Sequence, residues 1–261
     1  MRYYKLIPSI KRAENGKCGS LKNFGNDKYG PAYDMFSDMS FNNQGEYAPI
    51  KGAPILPILS FNKTTKAVDY LTNSSLSTIC YLILSTNFLS FLASHLTKPY
   101  QSWKLKVYNY EEVKILSYHL FHLSYPNEDF ISYTDCEFYL YTKDGSMKDA
   151  FLKDGTKVKV LNEEIIEPSI IVKSINDYKS LVDKYSIGYK LNTPILGVKK
   201  ISFDTNKVKD NFFRVFQPNF GLISGYYVTE KLKIMIEETG FTGLDFRSLE
   251  EIFSETELNY I

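Results

Sequence analysis

Three histidines, three cysteines and a few adjacent carboxylates are the residues whose types and spacing could do chemistry in this 261-residue chain. His119 and His122 fall in an alternating run from Tyr118 to Tyr125, where a separation of three sends side chains to opposite faces of a strand. They are therefore not expected to share a metal. His95 falls on the apolar stripe of an expected helix and reads as a hydrogen-bonded core residue. No Cys-x-x-Cys or His-x-x-x-His spacing occurs, so no structural zinc site is expected. Cys136 lies between Asp135 and Glu137, whose negative charge raises a thiol pKa rather than activating it. Glu163-Glu164, Glu237-Glu238 and Glu250-Glu251 are adjacent pairs, and adjacent helix positions do not face one site. There is no Gly-x-Ser-x-Gly elbow, no phosphate-binding glycine loop ending in Lys-Ser or Lys-Thr, and no Gly-x-Gly-x-x-Gly turn. An enzyme would have to assemble its site from scattered residues. The expectation is a protein that is not an enzyme, without metal or cofactor.

Two clusters suit binding instead. Asn127-Glu128-Asp129 with Tyr133, Asp135 and Glu137 places acidic groups and an aromatic ring in a loop between strands. Glu250, Glu251, Glu255 and Glu257 surround Phe253 and Tyr260 near the C-terminus. Acidic surfaces of this kind speed and orient association with a basic protein partner. A net charge of +1 gives no global field toward nucleic acid or an anionic membrane, and neither is an expected partner. Cysteines that are odd in number and widely spread, at 18, 80 and 136, argue against a disulfide scaffold. With no apolar leader at Met1–Pro8 and no stretch long enough to span a bilayer, a soluble, cytoplasmic protein is expected. Oligomeric state is left open.

The elements that must position these groups are legible from pattern. Tyr (21) and Phe (18) dominate the aromatic content and favour strands. Strands are expected at 1–7, 79–84, 103–109, 114–124, 212–217 and 222–228, with Asp144-Gly145 and Asp154-Gly155 as turns between short strands. Three helices follow capping residues at Ser85 or Thr86, Ser174 and Thr229. Their stripes are Phe88, Phe91, Leu92 and His95; Tyr178, Leu181, Val182 and Tyr185; and Leu232, Met235 and Ile236. Gly240 suits a left-handed ending, with Phe241 folding back on Ile236. Ser85 and Thr229 precede stripes at equal offsets, a pattern open to duplication or to common helix-entry grammar. From residue 14 to 57 the composition shifts to Gly, Asn and Pro, marking a loop-rich stretch.

The segment from Gly225 to Phe246 carries a resemblance. Val228-Thr229, the helix Glu230 to Glu238, and Gly240-Phe241-Thr242-Gly243-Leu244-Asp245-Phe246 resemble the C-terminal signature of a bacterial polymorphic-toxin immunity protein family, the eleventh, overlapping the forty-third. Phe203-Asp204-Thr205-Asn206-Lys207-Val208-Lys209 followed by Phe212 to Phe216 looks like the segment that precedes it in the family. Ser117 to Leu123 leading into Ile131 to Phe138 resembles a third block. In that block relatives tend to have an acidic residue at the place of Ser132 and Ser at the place of Cys136. The resemblance covers roughly residues 80–250. It implies an immunity protein of contact-dependent bacterial competition that binds and neutralises a cognate toxin by stoichiometric occlusion. The alternative is an enzyme of unrecognised type acting on a small molecule or nucleic acid. A third reading is an assembly module with a lasting subunit contact. The expected fold is α+β, a largely antiparallel twisted sheet with about three main helices. Residues 1–70 are expected as a loop-rich N-terminal lobe and 71–261 as the core. The candidate toxin-binding residues are Glu128, Asp129, Tyr133, Asp135 and Glu137.

Overall fold

Strand-forming residues dominate the described chain, and they build an α+β fold with antiparallel-rich, curled sheets. The structure, a computed structural model, describes residues 2–9, 20–26, 49–50, 56–61, 66–73, 81–108, 115–151, 155–185, 191–216, 223–254 and 256–261. It divides into two compact units. One comprises Met1–Asn127 and Lys209–Ile252, the other Glu128–Val208 and Phe253–Ile261. The expected division at residue 70 does not coincide with this one, because segments on both sides of it pair within the first unit. Most of the loop-rich stretch lies outside the described residues.

The first unit contains a closed barrel and a four-stranded sheet. The barrel runs β2 (Ser20–Asn26), β3 (Pro57–Ser60), β6 (Tyr100–Tyr108), β7 (Ile115–Leu123), β5 (Leu82–Ser85) and β4 (Tyr70–Asn73), closing back onto β2. β2–β4 and β3–β6 are parallel pairs, and the others are antiparallel. Leu59, Ile83, Leu105, Val107 and Leu120 belong to one buried cluster with Phe61, Tyr81 and Tyr118. Leu82, Ile83 and Leu84 are all buried, as a continuous apolar run demands of a strand covered on both faces.

The sheet orders β11 (Phe212–Val215), β12 (Gly225–Thr229), β1 (Tyr3–Pro8) and β13 (Leu244–Ser248), antiparallel throughout. Two helices enter on matching grammar. At α1 (Thr86–Ala93) the Ser85 hydroxyl accepts from Phe88 N–H at 3.1 Å. At α3 (Glu230–Thr239) the Thr229 hydroxyl accepts from Leu232 N–H at 3.4 Å. Each satisfies one orphan donor of its first turn. Phe88, Leu92, Leu232 and Ile236 then bury themselves in a single cluster with Leu6, Phe121 and Phe212. α1 ends at Ala93, sooner than Pro99 suggests, and Met235 is half-buried rather than part of the buried stripe.

The glycine-rich ending of α3 has a physical account. Gly240 takes φ +78°, the left-handed cap. Phe241 packs against the buried cluster that contains Ile236. Its ring meets Phe88 at 4.7 Å and Phe91 at 5.1 Å, tying α3 to α1. Thr242 donates from its N–H and hydroxyl to Asp69 at 2.9 and 3.1 Å, and Asp69 also accepts from the Ser85 hydroxyl at 2.7 Å. A Cβ at Gly243 would lie 2.4 Å from Val68 Cγ2 and 2.5 Å from Tyr70 O, so only glycine fits. The signature residues therefore lock the barrel to the helices.

The second unit is a four-stranded sheet ordered β14 (Glu257–Tyr260), β10 (Ile195–Phe203), β8 (Glu137–Phe151) and β9 (Lys157–Ile170), with one parallel pair, β10–β14. Asp144-Gly145 does not reverse the chain. It forms an irregularity inside the 15-residue β8, where Asp144 accepts from Ser146 N–H at 2.8 Å and Gly145 takes φ +86°. Of the second expected turn, Gly155 takes φ +83°, and Asp154 lies outside the described residues. α2 (Ile175–Tyr185) buries Tyr178 and Val182. Ser174 accepts from Asp177 N–H at 3.1 Å, while the Asp177 carboxylate reaches back to Lys173 N–H at 3.1 Å. This capping box is displaced by one residue from the common form.

Candidate interaction surface

Between β7 and β8 the chain makes two single turns of 3-10 helix, Glu128–Phe130 and Tyr133–Asp135, both within the second unit. Their apolar residues point inward. Phe130 is fully buried with its ring 4.9 Å from Phe203, and Ile131 forms an isolated antiparallel bridge with Phe203. The polar backbone is tied down on the same strand. Ser132 N–H donates to Ser202 O at 2.9 Å, Asp204 N–H to Phe130 O at 3.0 Å, and the Ser202 hydroxyl to Asp135 O at 2.7 Å. Asn259 donates to the Ser202 hydroxyl at 3.2 Å. Cys136 completes the lattice, its thiol donating to Ser132 O at 3.2 Å and accepting from Ser202 N–H at 3.3 Å. Burial, with Asp135 adding to it, pushes that thiol up to about 11, against the opposing pull of Ser202 N–H and Lys200. It is a structural thiol, not a nucleophile.

The acidic residues stand on this base. Asp129, Asp135 and Glu137 are exposed and Glu128 is half-buried. Asp135 accepts from the hydroxyls of Ser132 and Thr134, the second at 3.2 Å, which fixes its carboxylate without a cation. Glu137 forms an exposed ion pair with Lys199 at 3.4 Å. Four of the five candidate residues thus lie along one short segment, 128–137, an acidic rim by adjacency in the chain. Tyr133 does not join them. It is 7% exposed and its ring lies 5.5 Å from Tyr178 of α2, so it supports the rim from beneath. Ser202, Asn259 and Lys199 shape the rim from segments remote in sequence, and no local pattern announces them.

Other candidates resolve into structural roles. Ser248 and Glu251 form a reciprocal cap on α4 (Leu249–Ile252), Glu251 accepting from Ser248 N–H at 2.7 Å and Ser248 from Glu251 N–H at 3.2 Å. Phe253 is buried, and Glu255 lies outside the described residues. Of the remaining acidic residues there, Glu250 and Glu257 are exposed. Within the first unit, a shallow cleft of about 80 Å³ is lined by His95, Asn211, Lys231, Leu232 and Met235. It falls well below the roughly 300 Å³ at which small-molecule sites begin. His95 packs its ring on Phe91 at 4.9 Å. His122 is buried beside Tyr81, whereas His119 is partly exposed opposite Lys104, so the two do face apart. Among the described residues no three His, Cys, Asp or Glu side chains converge in a metal-binding group, and no helix is long and apolar enough to cross a membrane. Cys18 and Cys80 lie outside the described residues.

No protein-family model matches this chain, and no curated protein matches it.

Proposed function

We propose that this chain is a cytoplasmic immunity protein that binds a cognate bacterial toxin and neutralises it by stoichiometric occlusion. The observation that carries the reading is the rim of Glu128, Asp129, Asp135 and Glu137, held by buried aromatic rings and backbone hydrogen bonds to β10. The carboxylates of Asp135, held by two hydroxyls, and Glu137, paired with Lys199, lose little entropy when a partner arrives, which favours specific association. A negative rim complements the basic cleft of a toxin that attacks nucleic acid, raising association rate and fixing register. The resemblance of the Gly225–Phe246 segment to an immunity family agrees with this use. So does the structural employment of its own residues, since Thr229, Gly240, Thr242 and Gly243 all serve the fold.

The contact needs no cofactor. Growth rescue tests the reading: the chain is co-expressed with the toxin encoded by the neighbouring gene. Protection by the wild type, lost in an Asp129→Lys, Glu137→Lys double variant that folds normally, is the expected result. Absence of protection by the wild type would refute it.

A further inference from the structure

The hairpin of β8 and β9 runs beyond its own sheet. β10 covers β8 only from Glu137 to Tyr141, whereas β8 and β9 stay paired out to Phe151 and Lys157. β9 is also the last strand of the sheet, so its outer edge carries no strand among the described residues. A two-stranded ribbon is marginal by itself, and a long open edge is a template for pairing with another chain. Apolar side chains stand uncovered on both strands of the ribbon: Met147 (56% exposed) and Phe151 (71%) on β8, Ile165 (61%) and Ile166 (52%) on β9.

The order of charges along β9 says what fits. Lys157 and Lys159 occupy one end, Glu163, Glu164 and Glu167 the other, with Asn162 between them. The two lysines share one carboxylate, Asp149, at 2.7 and 2.8 Å. Of the three glutamates, only Glu163 has an ion pair among the described residues, to Lys143 at 3.1 Å. One end of the strand therefore keeps net positive charge and the other net negative charge. Such a strand is complementary to itself when turned by a two-fold axis. An axis through Asn162, within the regular part of β9 from Lys157 to Ile165, sets Val160 opposite Glu164 of a second copy and Lys159 diagonal to Glu163, with the lysine end facing the glutamate end. Parallel self-pairing in register would oppose like charges. The extra residue that β9 carries at Ile166 ends its regular edge at Ile165, and Pro168, which lacks an N–H, bars pairing beyond it.

We infer that this chain forms a two-fold dimer by antiparallel pairing of β9 with β9 of a second copy, independently of any toxin contact. Sedimentation velocity over a concentration series tests it with three proteins. The wild type dimerises. A Lys157→Glu, Lys159→Glu variant has an all-acidic edge, and a Glu164→Lys, Glu167→Lys variant a largely basic one in which the remaining Glu163 stays paired with Lys143. Each alone weakens self-association by roughly tenfold or more, because attractive cross-strand pairs become repulsive on both sides of the axis. Their equimolar mixture restores the dimer, since an acidic edge now meets a basic one. Melting temperatures compared at concentrations where the wild type is monomeric stay near its value, because the substituted groups are exposed. A wild type that stays monomeric, whether or not the edge takes a strand from another protein, overturns the inference. So does a variant that still dimerises alone, or a mixture that remains monomeric.

Discussion

Substituting alanine at Gly240 and Gly243 separates two physical costs within one short segment. Both glycines have positive φ, +78° and +82°. An L-residue in the left-handed region costs about 1–2 kcal/mol at either position. At Gly240 a Cβ would enter open space, so that cost stands alone. At Gly243 the added carbon would sit 2.4 Å from Val68 Cγ2, 2.7 Å from Val68 Cβ and 2.5 Å from Tyr70 O. Val68 is buried and the carbonyl is main chain, so neither yields cheaply. Overpacking of this kind adds about 1–3 kcal/mol. The expected losses are therefore about 1–2 kcal/mol for Gly240→Ala and about 2–5 kcal/mol for Gly243→Ala. Urea titration followed by fluorescence and circular dichroism reads both as midpoint shifts at constant slope. Equal losses at the two positions would refute the close approach of this segment to the barrel, and with it the structural account of the signature.

Further outcomes follow from other elements. Thr229→Ala should cost about 1 kcal/mol in the same titration, through loss of the α3 cap. Ile236→Ala should cost about 2–5 kcal/mol and half-buried Met235→Ala clearly less, since only the first leaves a closed cavity. Lys5 is pushed down to about 8 from 10.5, first by burial and then by Arg247, so the unfolded chain binds the extra proton. Its contribution to stability should accordingly rise with pH from about 8 to 10.5, and any advantage of Lys5→Met over the wild type should shrink across that window in calorimetry. Cys136, pushed up to about 11, should alkylate at neutral pH more slowly than a free thiol when followed by peptide mass mapping.

Much of this was legible in the sequence where a local rule governs. The three caps at Ser85, Ser174 and Thr229, and the buried runs that follow them, rest on hydrogen bonds within one turn and on a helical period. The exposure of Asp129, Asp135 and Glu137 was legible as charge. Closure of the barrel was not, because the parallel pairs β2–β4 and β3–β6 join segments with no shared local pattern. Asp144-Gly145 read as a turn because the same residues serve a reversal and a bulge, and only the pairing partner decides. Tyr133 read as a surface residue because a single 3-10 turn has too few positions to reveal a period. The anchoring of the rim depends on Ser202 and Asn259, whose roles arise only once β10 and β14 lie beside each other.

The central claim, that the rim of Glu128, Asp129, Asp135 and Glu137 receives a basic toxin, is tested most directly by binding kinetics against the neighbouring gene's toxin. Association rates should be measured for the wild type and the Asp129→Lys, Glu137→Lys variant over a range of ionic strength. The expected result is a wild-type rate that falls steeply with salt, and a variant with slower association, a flatter salt dependence and an unchanged melting temperature. Unaltered kinetics in the variant would contradict the placement of the contact face, and no binding by the wild type would contradict the function itself.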